Sequence, residues 1–327
     1  YASRGLGDVY KRQFQFGKIK KVNGMEKDRE QALLVRKMQD YIKAHINDES
    51  LNISGIAAAL GYSERHCKRL FARMTGKPVG EYIRLLRLTD AADKLRTSSD
   101  NVLDIALSHQ FQSHEGFTRA FRSAFGVAPY QYRTQKPPVP LFIAYPADHQ
   151  YFLRNEEFRM TDKEKSMPVC TATVVSREER TLVFLPSKSA EDYMSFCEEM
   201  GCEWEGLLNS FEEKLDTAAI VTLPKSLVPE GYSDTAAGIE LPAGYQGEIP
   251  WGYLTAKLPK GNLLYFESGP FEREEDFCIA IEETFRAYEG YDPGRFGYAY
   301  DFENAPSFNF GAQMETGARI AFPVKKI

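Results

Sequence analysis

Two stretches of this chain could set polar side chains along one side of a short amphipathic helix. Cys67, Leu70, Phe71 and Met74 recur at helical spacing, which leaves Arg65, Lys68, Arg69 and Ala72 facing outward. Further on, Phe117, Ala120, Phe121, Ala124 and Phe125 form a second apolar stripe, and its outward residues include His114, Glu115, Thr118, Arg119 and Arg122. A DNA major groove admits one helix, and Arg or Lys on its exposed first turns reaches guanine edges. Solvation alone also produces basic helix faces, so neither stretch decides anything by itself. No nucleophile motif, phosphate-binding loop or Cys/His metal spacing accompanies them.

The flanking elements are what would aim these faces. Ile53, Ile56, Ala57 and Leu60 give a short helix, Gly61-Tyr62-Ser63 interrupts it, and the first polar helix follows. Val102, Ile105, Ala106 and Leu107, then Phe111-Gln112-Ser113, repeat that order before the second. Helix, turn, helix is the motif that presents its second helix to DNA. Ser63 and Ser113 each suit a helix N-cap, where a hydroxyl accepts a free first-turn N–H. Between the two units a helix from Gly80 to Arg96 carries Tyr82, Leu85, Leu86, Leu88, Ala92 and Leu95 as core candidates. Leu33, Leu34, Met38, Tyr41, Ile42 and Ile46 predict another helix upstream. This half is therefore expected to be an all-α double helix-turn-helix domain, its two polar helices entering successive major grooves on one face of DNA.

Charge divides the chain the same way. Its 327 residues carry a net charge of −5, yet residues 25–136 hold 18 Lys and Arg against 13 Asp and Glu, and residues 137–327 hold 17 against 32. A basic block joined to an acidic one suggests two domains with different partners. No apolar run approaches the ~18 residues of a spanning helix, so no membrane partner is expected. Cys67, Cys170, Cys197, Cys202 and Cys278 are scattered, which indicates neither a disulfide framework nor a zinc site. Cytoplasmic localisation, no cofactor and no metal are the expectation.

Ser3 to Gln13 resembles, residue for residue, one reading frame of a common transposase adapter; residues 1–24 are therefore set aside, with Met25 as the expected natural start. Lys136-Pro137-Pro138-Val139-Pro140 cannot continue a helix and opens a junction expected to cover 136–168. From Met167 the pattern alternates. Thr173–Val175, Thr181–Leu185, Ala219–Leu223, Ala236–Leu241, Tyr253–Leu258, Asn262–Phe266, Phe296–Phe302 and Arg319–Val324 read as strands. Ala190–Leu215 and Phe271–Tyr288 read as helices. Arg180–Phe184 corresponds to Gly261–Tyr265, which predicts a duplicated strand-strand-helix-strand-strand plan of α+β class over residues 169–327.

The first half resembles the AraC/XylS family of transcription regulators. Asp104-Ile105-Ala106, Phe111-Gln112-Ser113, Phe117-Thr118-Arg119-Ala120-Phe121 and Gly126-Val127-Ala128-Pro129-Tyr130-Gln131-Tyr132-Arg133 carry the resemblance, with Gly61-Tyr62-Ser63 and Arg69-Leu70-Phe71 in the first unit. It implies a DNA-binding domain over 25–135 whose bases are read by Arg65, Lys68, Arg69, His114, Glu115 and Arg119. Gln110 departs from the pattern, standing where the family usually has glycine. The second half, through Leu258-Pro259-Lys260-Gly261, Ser268-Gly269-Pro270-Phe271 and Ile320 to Lys326, resembles the GyrI-like effector-binding domain. That implies a small-molecule sensor for aromatic ligands, cationic or neutral, with Trp204, Glu240, Trp251, Tyr253, Phe266, Glu267, Tyr298 and Tyr300 as candidate ligand-binding residues. The expected function is a non-enzymatic transcription regulator with double-stranded DNA, a small-molecule effector and RNA polymerase as its candidate partners. Two other readings stay open: a hydrolase of a reactive small molecule using Glu240 or Glu267 with Tyr298 or Trp251, and an acidic half that contacts a protein.

Overall fold

Apolar residues at helical spacing give the first unit its helices: α1 (Val22–Ala44), α2 (Ile53–Leu60), α3 (Glu64–Thr75), α4 (Val79–Thr97), α5 (Val102–Ser108), α6 (His114–Phe125) and α7 (Pro129–Gln135). The computed structural model describes residues 22–147, 170–273 and 276–327. The adapter-like segment and part of the 136–168 junction lie outside these. The described residues fall into two compact units, 22–147 in one and 170–273 with 276–327 in the other. Among the described residues no helix is long and apolar enough to cross a membrane.

The helical unit has two cores. Val35, Met38, Ile42, Ile56, Cys67, Phe71, Tyr82 and Ile83 form the first, joining α1, α2 and α3 to the start of α4. Leu88, Ala92, Leu95, Ile105, Phe117, Phe121 and Tyr132 form the second, joining the rest of α4 to α5, α6 and α7. Phe71, Phe117 and Phe121 are among the largest fully buried side chains, each contributing roughly 1.5–3 kcal/mol of burial. The proline-rich stretch is not where this unit ends. Val139 and Leu141 enter the second core, and Phe142 and Ala147 the first. The Phe142 N–H donates to Thr89 Oγ1 at 2.9 Å. The buried Gln39 amide donates to Tyr145 O and accepts from the Ala147 N–H. Residues 136–147 are thus a strap laid across both cores.

The second unit is one antiparallel sheet of nine strands: β1 (Thr171–Arg177), β2 (Arg180–Pro186), β3 (Ala219–Thr222), β4 (Thr235–Pro242), β5 (Leu254–Leu258), β6 (Gly261–Glu267), β7 (Tyr298–Tyr300), β8 (Ser307–Gln313) and β9 (Gly317–Lys326). The order is β1-β6-β9-β8-β3-β4-β2-β5, with β7 beside β9. Exchanging β1, β2, β3 and β4 with β5, β6, β8 and β9 returns that order reversed, so each half lends its first strand to the other. Three helices, α8 (Tyr193–Met200), α9 (Glu203–Asn209) and α10 (Phe277–Gly290), pack on one face.

Four expectations need correction. The Ala190–Leu215 helix is two short helices, broken at Gly201, whose φ of 78° lies in the left-handed region. Phe296–Phe302 is strand only over Tyr298–Tyr300, because Pro293–Phe296 forms a 3₁₀ turn closed by Gly297 at φ 79°. The helix expected over Phe271–Tyr288 starts only at Phe277. Strand β8 is not among the expected strands, although Phe308 and Phe310 alternate with polar residues. Asn309 and Gly311 interrupt it where its pairing with β9 shifts register.

Candidate nucleic-acid interface and ligand site

On α3, Cys67, Leu70 and Phe71 are buried and Arg65, Lys68 and Arg69 are exposed. Ser63 is the N-cap: its backbone is extended and its hydroxyl accepts from the His66 N–H at 3.3 Å. On α6, Phe117, Phe121 and Phe125 are buried and His114, Glu115 and Arg119 are exposed. Ser113 caps it, accepting from the Gly116 N–H at 3.1 Å. The six residues named from sequence therefore stand three to a helix on two solvent faces. Lys68 is paired with Glu64 at 3.1 Å. The Ser54 hydroxyl and then Lys68 hold the Glu64 carboxyl below its usual range. Both members of that pair are exposed, so releasing Lys68 to a base or phosphate costs little.

The turns before the two capped helices are built alike. Tyr62 N–H reaches back to Ala57 O, and Phe111 N–H to Ala106 O, the long closing bond of a helix that ends in a left-handed residue. In the first turn that residue is Gly61 at φ 74°; in the second it is Gln110 at φ 64°. A side chain in this region costs about 1–2 kcal/mol. Gln110 has something to offset it: its amide Nε2 donates to Asn47 O, 2.8 Å away and 63 residues earlier. Beside it Arg87, from the middle of α4, donates to Ile46 O and Asp48 O at 2.9 Å each. Three successive carbonyls of the turn after α1 are thus held by the central helix and by the second helix-turn-helix. The sequence signalled Gln110 only as a departure from glycine, and it signalled Arg87 not at all.

The eight ligand candidates of the second unit do not converge. Trp204 is buried between α8, α9 and the sheet, packed on Phe196. Phe266 and Tyr300 pack with Tyr288 and Phe322 on the face that α10 covers. Trp251 is 99% exposed. Tyr298 lies half-buried in β7, and Glu267, also half-buried, ends β6. Tyr253, half-buried, lines a cavity of about 550 Å³ with Phe184, Leu227, Ile249 and Leu254. Burial pushes its hydroxyl up to about 12. Strand alternation sends Phe266 and Glu240 to opposite faces of the sheet, while Trp204 lies on α9 and Trp251 in a turn before β5.

Glu240 lies on the other face, away from the helices, but it is not a vacant acid. Arg180 Nε donates to it at 2.5 Å, with the two side chains 2% and 3% exposed, and Arg177 Nε lies 3.6 Å away. Burial pushes the Glu240 carboxyl up, and Arg180 and then Arg177 pull it down. The geometry makes it the counterion of Arg180. Sequence reasoning missed the cluster this belongs to. Asp216 accepts from Arg177, Arg319 and the Tyr265 hydroxyl. Arg319 stacks over the Phe310 ring at 4.7 Å, and Phe310 in turn stacks on Tyr265. Three arginines there face two carboxylates beside a wall of aromatic rings. Among the described residues no group of three or more His, Cys, Asp and Glu comes together as a metal site.

A helix-turn-helix domain family matches residues 56–135. The Escherichia coli right origin-binding protein is 39% identical over 130 residues, which is 37% of this chain and 45% of that protein. The E. coli multiple antibiotic resistance protein MarA is 30% identical over 118 residues, 36% of this chain and 92% of MarA. The transcriptional activator AarP of Providencia stuartii is 35% identical over 103 residues, 76% of its length. The chain belongs to the AraC/XylS family. An AraC-type regulator solved from Chromobacterium violaceum is 29% identical, with a TM-score of 0.30, covering 32% of this chain and 91% of that one. The AraC/XylS match spans less than half the length of the right origin-binding protein, and it lies in the helical unit.

Proposed function

We propose that this chain is a transcription regulator whose helical unit reads double-stranded DNA with α3 and α6, and whose second unit binds a small molecule. One observation carries the reading: two serine-capped helices present Arg65, Lys68, Arg69, His114, Glu115 and Arg119 from the two ends of one central helix, in a chain of the AraC/XylS family. Bases are read by Arg69 and Arg119, exposed long cations on α3 and α6, and His114 and Glu115 add hydrogen-bonding contacts. The resemblance to GyrI-like domains supports ligand binding by the second unit. Its charges do not suit a cation. With Glu240 matched by Arg180, and Asp216 shared by Arg177 and Arg319, the polar cluster beside Tyr265 and Phe310 favours a neutral or anionic aromatic compound. The same pairing removes Glu240 as a free general base for the hydrolase reading.

The test is selection of duplexes from a random-sequence pool with the whole chain, followed by a salt series on the enriched duplex. Sequence-selective binding with a steep salt dependence supports the reading. Enrichment of no sequence, at any salt, overturns it. The enriched complex is then titrated with matched aromatic amines, alcohols and carboxylates. A shift with the carboxylate or alcohol supports the ligand class, and a shift with the amine alone overturns it.

A further inference from the structure

The two helix-turn-helix units have separate cores, and a single helix shared between them would let them swing. Three bonds oppose that. Arg87, on the shared helix, holds Ile46 O and Asp48 O of the first unit, and Gln110, in the turn of the second unit, holds Asn47 O between them. Gln110 makes its bond from a left-handed backbone, φ 64°, that glycine would occupy without strain. A strained residue is kept where the surroundings over-determine it. Here what surrounds it is the other unit. Residues 136–147 cross the same boundary, with Leu141 in one core and Phe142 in the next.

We infer that Gln110 and Arg87 are positioning residues that lock the two recognition helices at one separation and rotation, so that the protein selects the spacing between two DNA half-sites as well as their sequences. The inference rests on the DNA-reading role proposed above. Neither residue need touch a base. The clamp acts through the turn at Ile46–Asp48, which closes α1 against the core beneath α3. One inserted base pair moves the second half-site by about 3.4 Å and turns it by about 34°. A rigid reader cannot follow both half-sites through that change, whereas a hinged one can.

The experiment uses the whole chain and the duplex enriched from the random pool, remade with one or two base pairs added or removed between its half-sites. The parent protein should lose at least about tenfold in affinity per altered base pair, because one recognition helix must leave its groove. Gln110→Gly removes the side chain and relieves the backbone, so it folds. Gln110→Asn tolerates the same backbone, yet is one methylene short of Asn47. Arg87→Ala removes the other two bonds. In all three the spacing penalty should shrink to about threefold or less, while the ranking of half-site sequences stays as in the parent. Lower stability alone would weaken binding to every duplex by the same factor, so the ratio between spacings separates positioning from folding. An unchanged ratio in Gln110→Gly and Arg87→Ala overturns the inference, as does an enriched duplex holding a single half-site. Either result leaves the DNA-reading role standing. Failure to enrich any duplex ends both.

Discussion

Replacing Glu240 by Gln tests whether that residue is a structural counterion or a ligand acid. Its carboxylate and the Arg180 guanidinium meet at 2.5 Å, with side chains 3% and 2% exposed. Breaking such a pair from one side costs about 3–5 kcal/mol, because the remaining charge stays buried without its partner. Two features place the expected loss near the lower bound, about 3 kcal/mol. Glutamine keeps an acceptor for Arg180 Nε, and Arg180 Nη1 keeps Pro259 O at 2.8 Å. Arg180→Met in the same chain should cost a similar amount. The double variant Arg180→Met/Glu240→Leu, which removes both charges of the pair and leaves Arg177 with Asp216, should return to within about 1 kcal/mol of the parent. Denaturant unfolding followed by tryptophan fluorescence isolates the right unit. The chain's two tryptophans, Trp204 and Trp251, both lie in it, and only Trp204 is buried. A Glu240→Gln loss below about 1 kcal/mol, as exposed pairs give, with aromatic-amine binding abolished, would refute the counterion argument and restore Glu240 as the ligand's acid.

Arg69→Ala and Arg119→Ala should each cost about 1–3 kcal/mol on the enriched duplex and little on unrelated sequence; a uniform loss in competition titrations would make that arginine a phosphate contact. Ser63→Ala and Ser113→Ala remove the acceptors of the His66 and Gly116 N–H groups, and each should lower helical-unit stability by about 1 kcal/mol in circular-dichroism melts. In the sheet unit, burial pushes Tyr253 and Tyr288 up to about 12 and raises Tyr265 and Tyr300 as well. The folded state keeps these protons after the unfolded chain, with tyrosines near pH 10, has released them. Their contribution is therefore complete below about pH 10 and is lost as pH rises toward 12. Tyrosinate absorbance should show a late-titrating group that merges with the early one on unfolding, and a single transition near pH 10 in the folded protein would contradict the burial.

What the amino-acid order settled by itself is local. Period 3.6 at Cys67–Met74 and Phe117–Phe125, with serine just before each stripe, fixed which helix faces turn outward and where those helices begin, because periodicity and capping act within a few residues. Strand patterning likewise marked β1 to β6 and β9 within a residue or two at most ends. The exposed faces of α3 and α6 are legible for the same reason: burial of the other face is a local pattern.

Tertiary structure decided the pairings. Arg180 meets Glu240 across 60 residues, Gln110 meets Asn47 across 63, and Arg319 meets Asp216 across 103. Nothing in a window of sequence says which strands or turns become neighbours, and a charged or amide side chain reads the same whether it faces water or a buried partner. That is why Glu240 reads as a candidate ligand acid in sequence and as the counterion of Arg180 in the fold. It is also why the proline-rich stretch after Lys136, which ends a helix on local grounds, becomes a strap only once two apolar cores lie side by side to receive Val139 and Phe142.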